Sequence, residues 1–148
     1  MKLALAGLAG ALVVAGPALA ATPEQEIRSV LTWSAEAWSR GDLDRFMQSY
    51  EHGPETAFVI KDGLLKSARA IRDRYAVRYN AAPGPKAAEQ MGRLRLDLLS
   101  VRRLGPDYAL ATGRYTLVRA GRPNASGITS LLFHRSTAGW RIAYDHSS

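Results

Sequence analysis

The chain has 148 residues, a formal net charge of +7 and no Cys. The absence of thiols excludes disulfide frameworks, thiolate metal centres and lipid-anchored lipoproteins. The basic residues, most of them Arg, are scattered through every segment rather than gathered in one stripe, which favours a solvated surface over a nucleic-acid interface.

Lys2 precedes an apolar stretch from Leu3 to Val14, Gly16-Pro17 breaks it, and Ala18-Leu19-Ala20 supplies the small residues of a cleavage site. The pattern predicts a secretory signal peptide over residues 1–21, cleaved near Ala20 or Ala21, and therefore a periplasmic or secreted protein. The run is too short and Gly-rich to cross about 30 Å of hydrocarbon, and no later run reaches the roughly 20 apolar residues a span needs. No stable membrane anchor is expected. Residues 22–148 fit one domain, long enough to bury a core unaided.

The first folded element is predicted as a helix: Thr22 is the N-cap, Pro23 takes the first helical position and Gln25 closes a capping box. Ile27, Val30, Leu31, Trp33, Ser34, Ala37 and Trp38 recur at spacings of three and four and form one broad apolar face. Gly41 ends it, and Asp42 caps a shorter helix in which Leu43, Phe46, Met47 and Tyr50 share a face. Thr56 to Ile60 reads as a short strand, followed by a turn at Lys61-Asp62-Gly63. Ser67 caps a third helix running to about Asn80, where Pro83-Gly84-Pro85 stops it. Ile71, Tyr75 and Tyr79 make its buried stripe. Arg78 lies about 60° from the centre of that stripe, at the lip of a cavity or, as is commoner, snorkelling at the edge of the core.

The rest of the chain is predicted as strand: Arg93 to Leu104, Tyr108 to Val118, Ile128 to Arg135 and Trp140 to His146. Short connections imply an antiparallel meander, and Gly113 marks a bulge or bend that curls the sheet. In the last strand, alternation puts Trp140, Ile142, Tyr144 and His146 on an apolar face and Arg141, Ala143, Asp145 and Ser147 on a polar one. The plan is α+β, with three N-terminal helices covered by a curved mixed or antiparallel sheet.

Gly41-Asp42-Leu43-Asp44, then Ala109 to Tyr115, and finally Gly139 to Ser148 resemble the nuclear transport factor 2-like superfamily, most of all its small SnoaL-like bacterial members of unknown function. The resemblance spans nearly all of residues 22–148 and implies a cone-shaped fold with a pocket between sheet and helices, in a homodimer packed through sheet faces. Relatives include ketosteroid isomerases, polyketide cyclases, dehydratases and a kinase association domain, so the fold alone does not give function. In ketosteroid isomerases a phenol lies seven residues before the Gly of the Gly-Asp corner, where this chain has Ser34, and the base lies on the short first strand, here Phe58-Val59-Ile60. Asp62 is near in sequence but reads as a turn residue. Ketosteroid isomerisation is therefore disfavoured.

The polar candidates for acid–base work are His134, Asp145 and His146, with Arg114 beside them. Asp145 and His146 are neighbours on one strand and must face opposite sides, so they do not pair. The plainer alternative has Tyr144 and His146 completing the aromatic face while Asp145 pairs with a nearby Arg. The expected pocket wall is Trp33, Tyr50, Phe58, Tyr75, Tyr79, Arg114, Tyr115, His134 and Asp145, because rings with one polar handle suit an aromatic or polycyclic ligand. Three His without a close carboxylate or thiolate set make a poor metal site, and no phosphate-cradling Gly loop or nucleophile motif appears, so no cofactor is expected. The expected partners are a small apolar or aromatic molecule and a second copy of the chain, with no nucleic acid. An acid–base enzyme and a purely associative domain are the alternatives.

Overall fold

The computed structural model describes residues 20–61 and 63–148. Most of the expected signal peptide, residues 1–19, and the turn residue Asp62 lie outside them. Helix α1 (Pro23–Ser39) begins with the expected capping box: the Thr22 hydroxyl accepts from the Gln25 N–H at 3.3 Å, and Gln25 accepts from the Thr22 N–H at 2.8 Å. It ends at Gly41, whose φ of +78° turns the chain into α2 (Leu43–Met47), capped by Asp42.

Strand β1 (Ala57–Ile60) follows, then β2 (Gly63–Lys66), which the sequence did not announce. Leu64 and Leu65 are too few to show a period, and it is pairing with β1 that makes the segment a strand. Helix α3 (Ala68–Tyr79) is capped by Ser67 and closes at Asn80 in the left-handed conformation. A second unannounced element, α4 (Ala87–Met91), occupies the stretch before β3 (Arg93–Arg103). Its five residues form barely more than one turn, held by packing. Met91 is fully buried and its carbonyl accepts from the Trp38 indole at 3.0 Å. Strands β4 (Tyr108–Val118), β5 (Ala125–Ser136) and β6 (Gly139–Ser147) complete the chain.

The six strands run in the order β2-β1-β6-β5-β4-β3. All neighbours are antiparallel except β1 and β6, so the sheet is mixed. The architecture is α+β, with the helices against the inner face of the sheet. Trp140, Tyr50, Phe133, Ile27, Ile71 and Met91 form the deepest part of the core. Two connections tie α1 to the sheet at its ends: the Trp140 indole donates to Glu26 at 2.8 Å, and the Ser39 hydroxyl accepts from the Leu94 N–H at 3.0 Å.

Two bulges bend the sheet. The bend expected at Gly113 lies on the adjacent strand, where Leu99 is the extra residue between Leu98, opposite Gly113, and Ser100, opposite Thr112. The other bulge corrects the reading of the last strand. Phe133 pairs with Ile142 but Leu132 pairs with Tyr144, leaving Ala143 as an extra residue in β6. Trp140 and Ile142 point inward as expected; beyond the bulge the faces exchange, so Asp145 is buried while Tyr144 and His146 are exposed.

Candidate functional site

A cavity of about 290 Å³ lies between the inner face of the sheet and helices α1, α2 and α3. Aromatic rings line its helix side. Trp38 from α1 makes edge contacts with Phe46 at 4.9 Å, Tyr75 at 5.3 Å and Tyr79 at 4.8 Å, and Phe58 from β1 stacks on Tyr75 at 5.7 Å. The three edge-to-face contacts of Trp38 fix the rings, since the positive edge of one meets the negative face of the next. The sheet side is closed by Leu94, Leu96, Leu117 and Leu131, which alternate inward along β3, β4 and β5.

The polar floor is Asp145, 4 % exposed, delivered into the cavity by the Ala143 bulge. Its Oδ2 accepts a hydrogen bond from the Tyr50 hydroxyl at 2.6 Å, and its Oδ1 accepts from Ser147 at 2.9 Å and Thr129 at 3.4 Å. The backbone that positions Tyr50 is held at the same bulge: the Ile142 N–H donates to the Ser49 carbonyl at 2.8 Å, and the Glu51 N–H donates to the Ile142 carbonyl at 2.9 Å. With the Tyr50 proton committed to Asp145, the 3.5 Å contact between the Tyr50 and Tyr75 hydroxyls is completed by the Tyr75 proton. The result is a directed chain from Tyr75 through Tyr50 to Asp145.

Burial pushes the Asp145 carboxyl above its usual range, against the opposing pull of the hydrogen bonds from Tyr50, Ser147 and Thr129. Burial, reinforced by the negative charge of Asp145, raises both the Tyr50 and the Tyr75 phenols, which keeps them protonated as donors. A buried carboxyl whose proton is held more tightly than usual, with phenols beside it, can hold a ligand hydroxyl or amine or exchange a proton with it.

Of the residues expected at the pocket wall, the cavity brings together Tyr50, Phe58, Tyr75, Tyr79, Tyr115 and Asp145. Trp33, Arg114 and His134 lie elsewhere. Trp33 sits beneath the Arg45 guanidinium at 4.6 Å, on the flank of α1. Arg114 is exposed, because alternation along β4 turns Ala111, Gly113 and Leu117 inward and Arg114 outward. His134 is on the outer face of β5, with Nδ1 against the Glu51 carboxylate and its ring stacked on Tyr108 at 4.7 Å. His146 is turned to solvent by the bulge, so among the three acid–base candidates Asp145 alone reaches the cavity.

Ser34 and Phe58-Val59-Ile60, the positions compared above with the phenol and base of ketosteroid isomerases, do line it. Ser34 donates to the Leu31 carbonyl at 3.0 Å. Trp38, Phe46, Thr129 and Ser147 are wall residues that were not among those expected there: the helical period did not separate Trp38 and Phe46 from ordinary core, and alternation put Ser147 on the polar face. Lys61, Arg74 and Arg78 also reach the lining, which places Arg78 at the lip rather than only at the edge of the core. Among the described residues no group of three or more His, Cys, Asp and Glu is arranged to hold a metal ion. None of the described helices is long and apolar enough to cross a membrane.

A family model described as SnoaL-like domain matches residues 27–148. Among solved structures, a nuclear transport factor 2-like protein of unknown function from Shewanella oneidensis is 28 % identical with a TM-score of 0.77, covering 86 % of this chain and 99 % of its own. A domain of unknown function with a cystatin-like fold from Nostoc punctiforme is 18 % identical with a TM-score of 0.68, covering 85 % and 76 %. A nuclear transport factor 2-like superfamily protein from Salmonella enterica serovar Typhimurium is 20 % identical with a TM-score of 0.64, covering 85 % and 89 %. No curated protein matches the sequence.

Proposed function

The chain belongs to the SnoaL-like domain family, of nuclear transport factor 2-like fold, and on that premise we propose that it is an exported protein that binds a small aromatic molecule in its cavity. The observation that carries this reading is Asp145, a buried carboxyl at the floor of a space walled by aromatic rings and leucines, with its position set by a bulge and three hydrogen bonds. A cavity serving only to close the core would gain nothing from an ionisable group, whose burial costs stability unless it is used. The ligand that suits it has a flat apolar body and a hydroxyl or amine directed at Asp145.

Isothermal titration with 2-naphthol tests the proposal. Binding by the natural sequence, lost in a Leu96→Trp variant that fills the cavity yet keeps its circular dichroism, is the expected result. Equal binding by both proteins, or by neither, overturns it.

A second reading is acid–base catalysis on the same ligand class, favoured by the directed chain from Tyr75 through Tyr50 to the raised Asp145 carboxyl. In it Asp145 takes a proton from the substrate, while Tyr75 and Tyr50, donating in series toward it, hold the carboxyl in place. It replaces the wider set of His134, Asp145 and His146 with Asp145 alone.

Export rests on the leader-like residues 1–21, and on Thr22, the cap of α1, standing directly after the expected cleavage site. The mature protein is a homodimer in this proposal, joined through the outer face of the sheet, where Leu110, Leu132 and Tyr144 are cross-strand neighbours. Intact-mass analysis of the periplasmic or secreted protein and its sedimentation velocity test the two statements separately. A start at Met1, or a monomer at micromolar concentration, contradicts them.

A further inference from the structure

We infer that the ligand of this cavity is an organic acid, with its apolar ring inside and its anionic group held at the mouth between Arg78 and Arg119. The inference rests on the ligand-binding reading above and names the charge of the ligand.

A second hollow, of about 340 Å³, adjoins the first and shares Arg78 and Tyr79 with it. It is lined by Arg78, Lys86, Arg119 and Arg122, with Glu89 as its one carboxylate. The Tyr79 ring stands where the two meet. The Arg78 guanidinium lies 5.7 Å from its centroid and that of Arg119 lies 5.2 Å away, so one aromatic ring positions two cations. Room for Arg119 is provided by Gly92 at φ +80°, where an added Cβ would stand 2.4 Å from Arg119 Cγ.

Arg74 and Lys61 add positive charge to the lining of the inner cavity. Among the described residues, Arg74, Arg78, Arg119 and Arg122 take part in no ion pair. Some arginines elsewhere are paired, as in Arg72 with Asp44 at 2.7 Å and Arg95 with Asp97 at 2.9 Å, while others among the described residues, such as Arg93 and Arg114, are not; what sets Arg78 and Arg119 apart is that they converge on the Tyr79 ring beside the cavity. Unpaired guanidiniums at the mouth of a low-dielectric space attract an anion more strongly than the same groups on open surface. Asp145 lies in the lining of the inner cavity and Arg119 in that of the outer hollow, so the ligand places its charge at the arginines and its ring and neutral donor toward Asp145.

The test compares 2-naphthoate with 2-naphthamide, which share ring and shape and differ in charge. The inference predicts that the acid binds about tenfold more tightly than the amide at low salt. That advantage shrinks as ionic strength rises from about 20 to 200 mM, because the mouth is open to screening. In an Arg78→Gln/Arg119→Gln variant the acid falls to the affinity of the amide, while the amide is unaffected. An amide that binds as tightly as the acid, or a preference that survives in the double variant, overturns the inference and leaves the aromatic cavity standing. Binding of neither probe, together with no binding of 2-naphthol, overturns both.

Discussion

The Tyr50 hydroxyl donates a 2.6 Å hydrogen bond to Asp145, joining the residues after α2 to the last strand across 95 positions of sequence. Replacing Tyr50 with Phe leaves the ring in place and removes the shortest of the three hydrogen bonds to a buried carboxyl. The expected loss is about 1–3 kcal/mol of unfolding free energy, read from urea denaturation. Most of that loss disappears in an Asp145→Asn background, where no charge is stranded.

The titration of Asp145 has a definite sign. Its folded-state value lies above the usual carboxylate range because burial disfavours the charged form. The folded state therefore holds the proton more tightly, so the stability linked to this group is present below about pH 4 and is lost as pH rises through the folded value. Asp145→Asn has no such loss. The melting temperature of the variant minus that of the natural protein should increase between about pH 4 and 8. A difference that is flat or falls with pH contradicts the raised carboxyl.

Gly41 sits at φ +78°, and a Cβ built there would lie 2.4 Å from the Ala88 nitrogen of α4. Gly41→Ala must therefore move the backbone of α4 as well as accept a left-handed residue, whose own cost is about 1–2 kcal/mol. Gly121, also left-handed at φ +68°, has nothing within 4 Å of such a Cβ. Denaturation should show Gly41→Ala to be clearly more destabilising than Gly121→Ala.

Trp140 is 2 % exposed, packs in the main core and donates to Glu26. Trp140→Ala should cost about 3–5 kcal/mol, a large part of the 5–15 kcal/mol expected for the domain. Trp140→Phe should cost much less. Unfolding followed by circular dichroism distinguishes the two.

Local signals carried most of the fold. Thr22, Pro23 and Gln25 fix the start of α1, Gly41 and Asp42 fix its corner with α2, and alternation through Leu94 and Leu96 fixes the inner face of β3. What remained hidden depends on contacts distant in sequence. Strand β2 exists because β1 pairs with it, and α4 because Met91 packs under Trp38. The site turned on one residue: Ile142-Ala143-Tyr144 contains no Gly or Pro to mark a bulge, so strict alternation put Asp145 on the face opposite Trp140 and Ile142, and its place among the expected wall residues had no strand geometry behind it. Tyr50 and Tyr75 were readable as buried rings, whereas their hydrogen-bonded order toward Asp145 needed the register of β6 against β5.

The central claim is that an aromatic ligand enters the cavity and meets Asp145. The direct measurement follows the Asp145 side-chain carboxyl carbon by NMR in protein labelled at aspartate, during titration with 2-naphthol at neutral pH. The account predicts a saturable change in that resonance, absent in Leu96→Trp and matched by changes in the Tyr50 and Tyr75 rings. A saturating ligand that leaves Asp145 unmoved while shifting residues on the outer face of the sheet would contradict it.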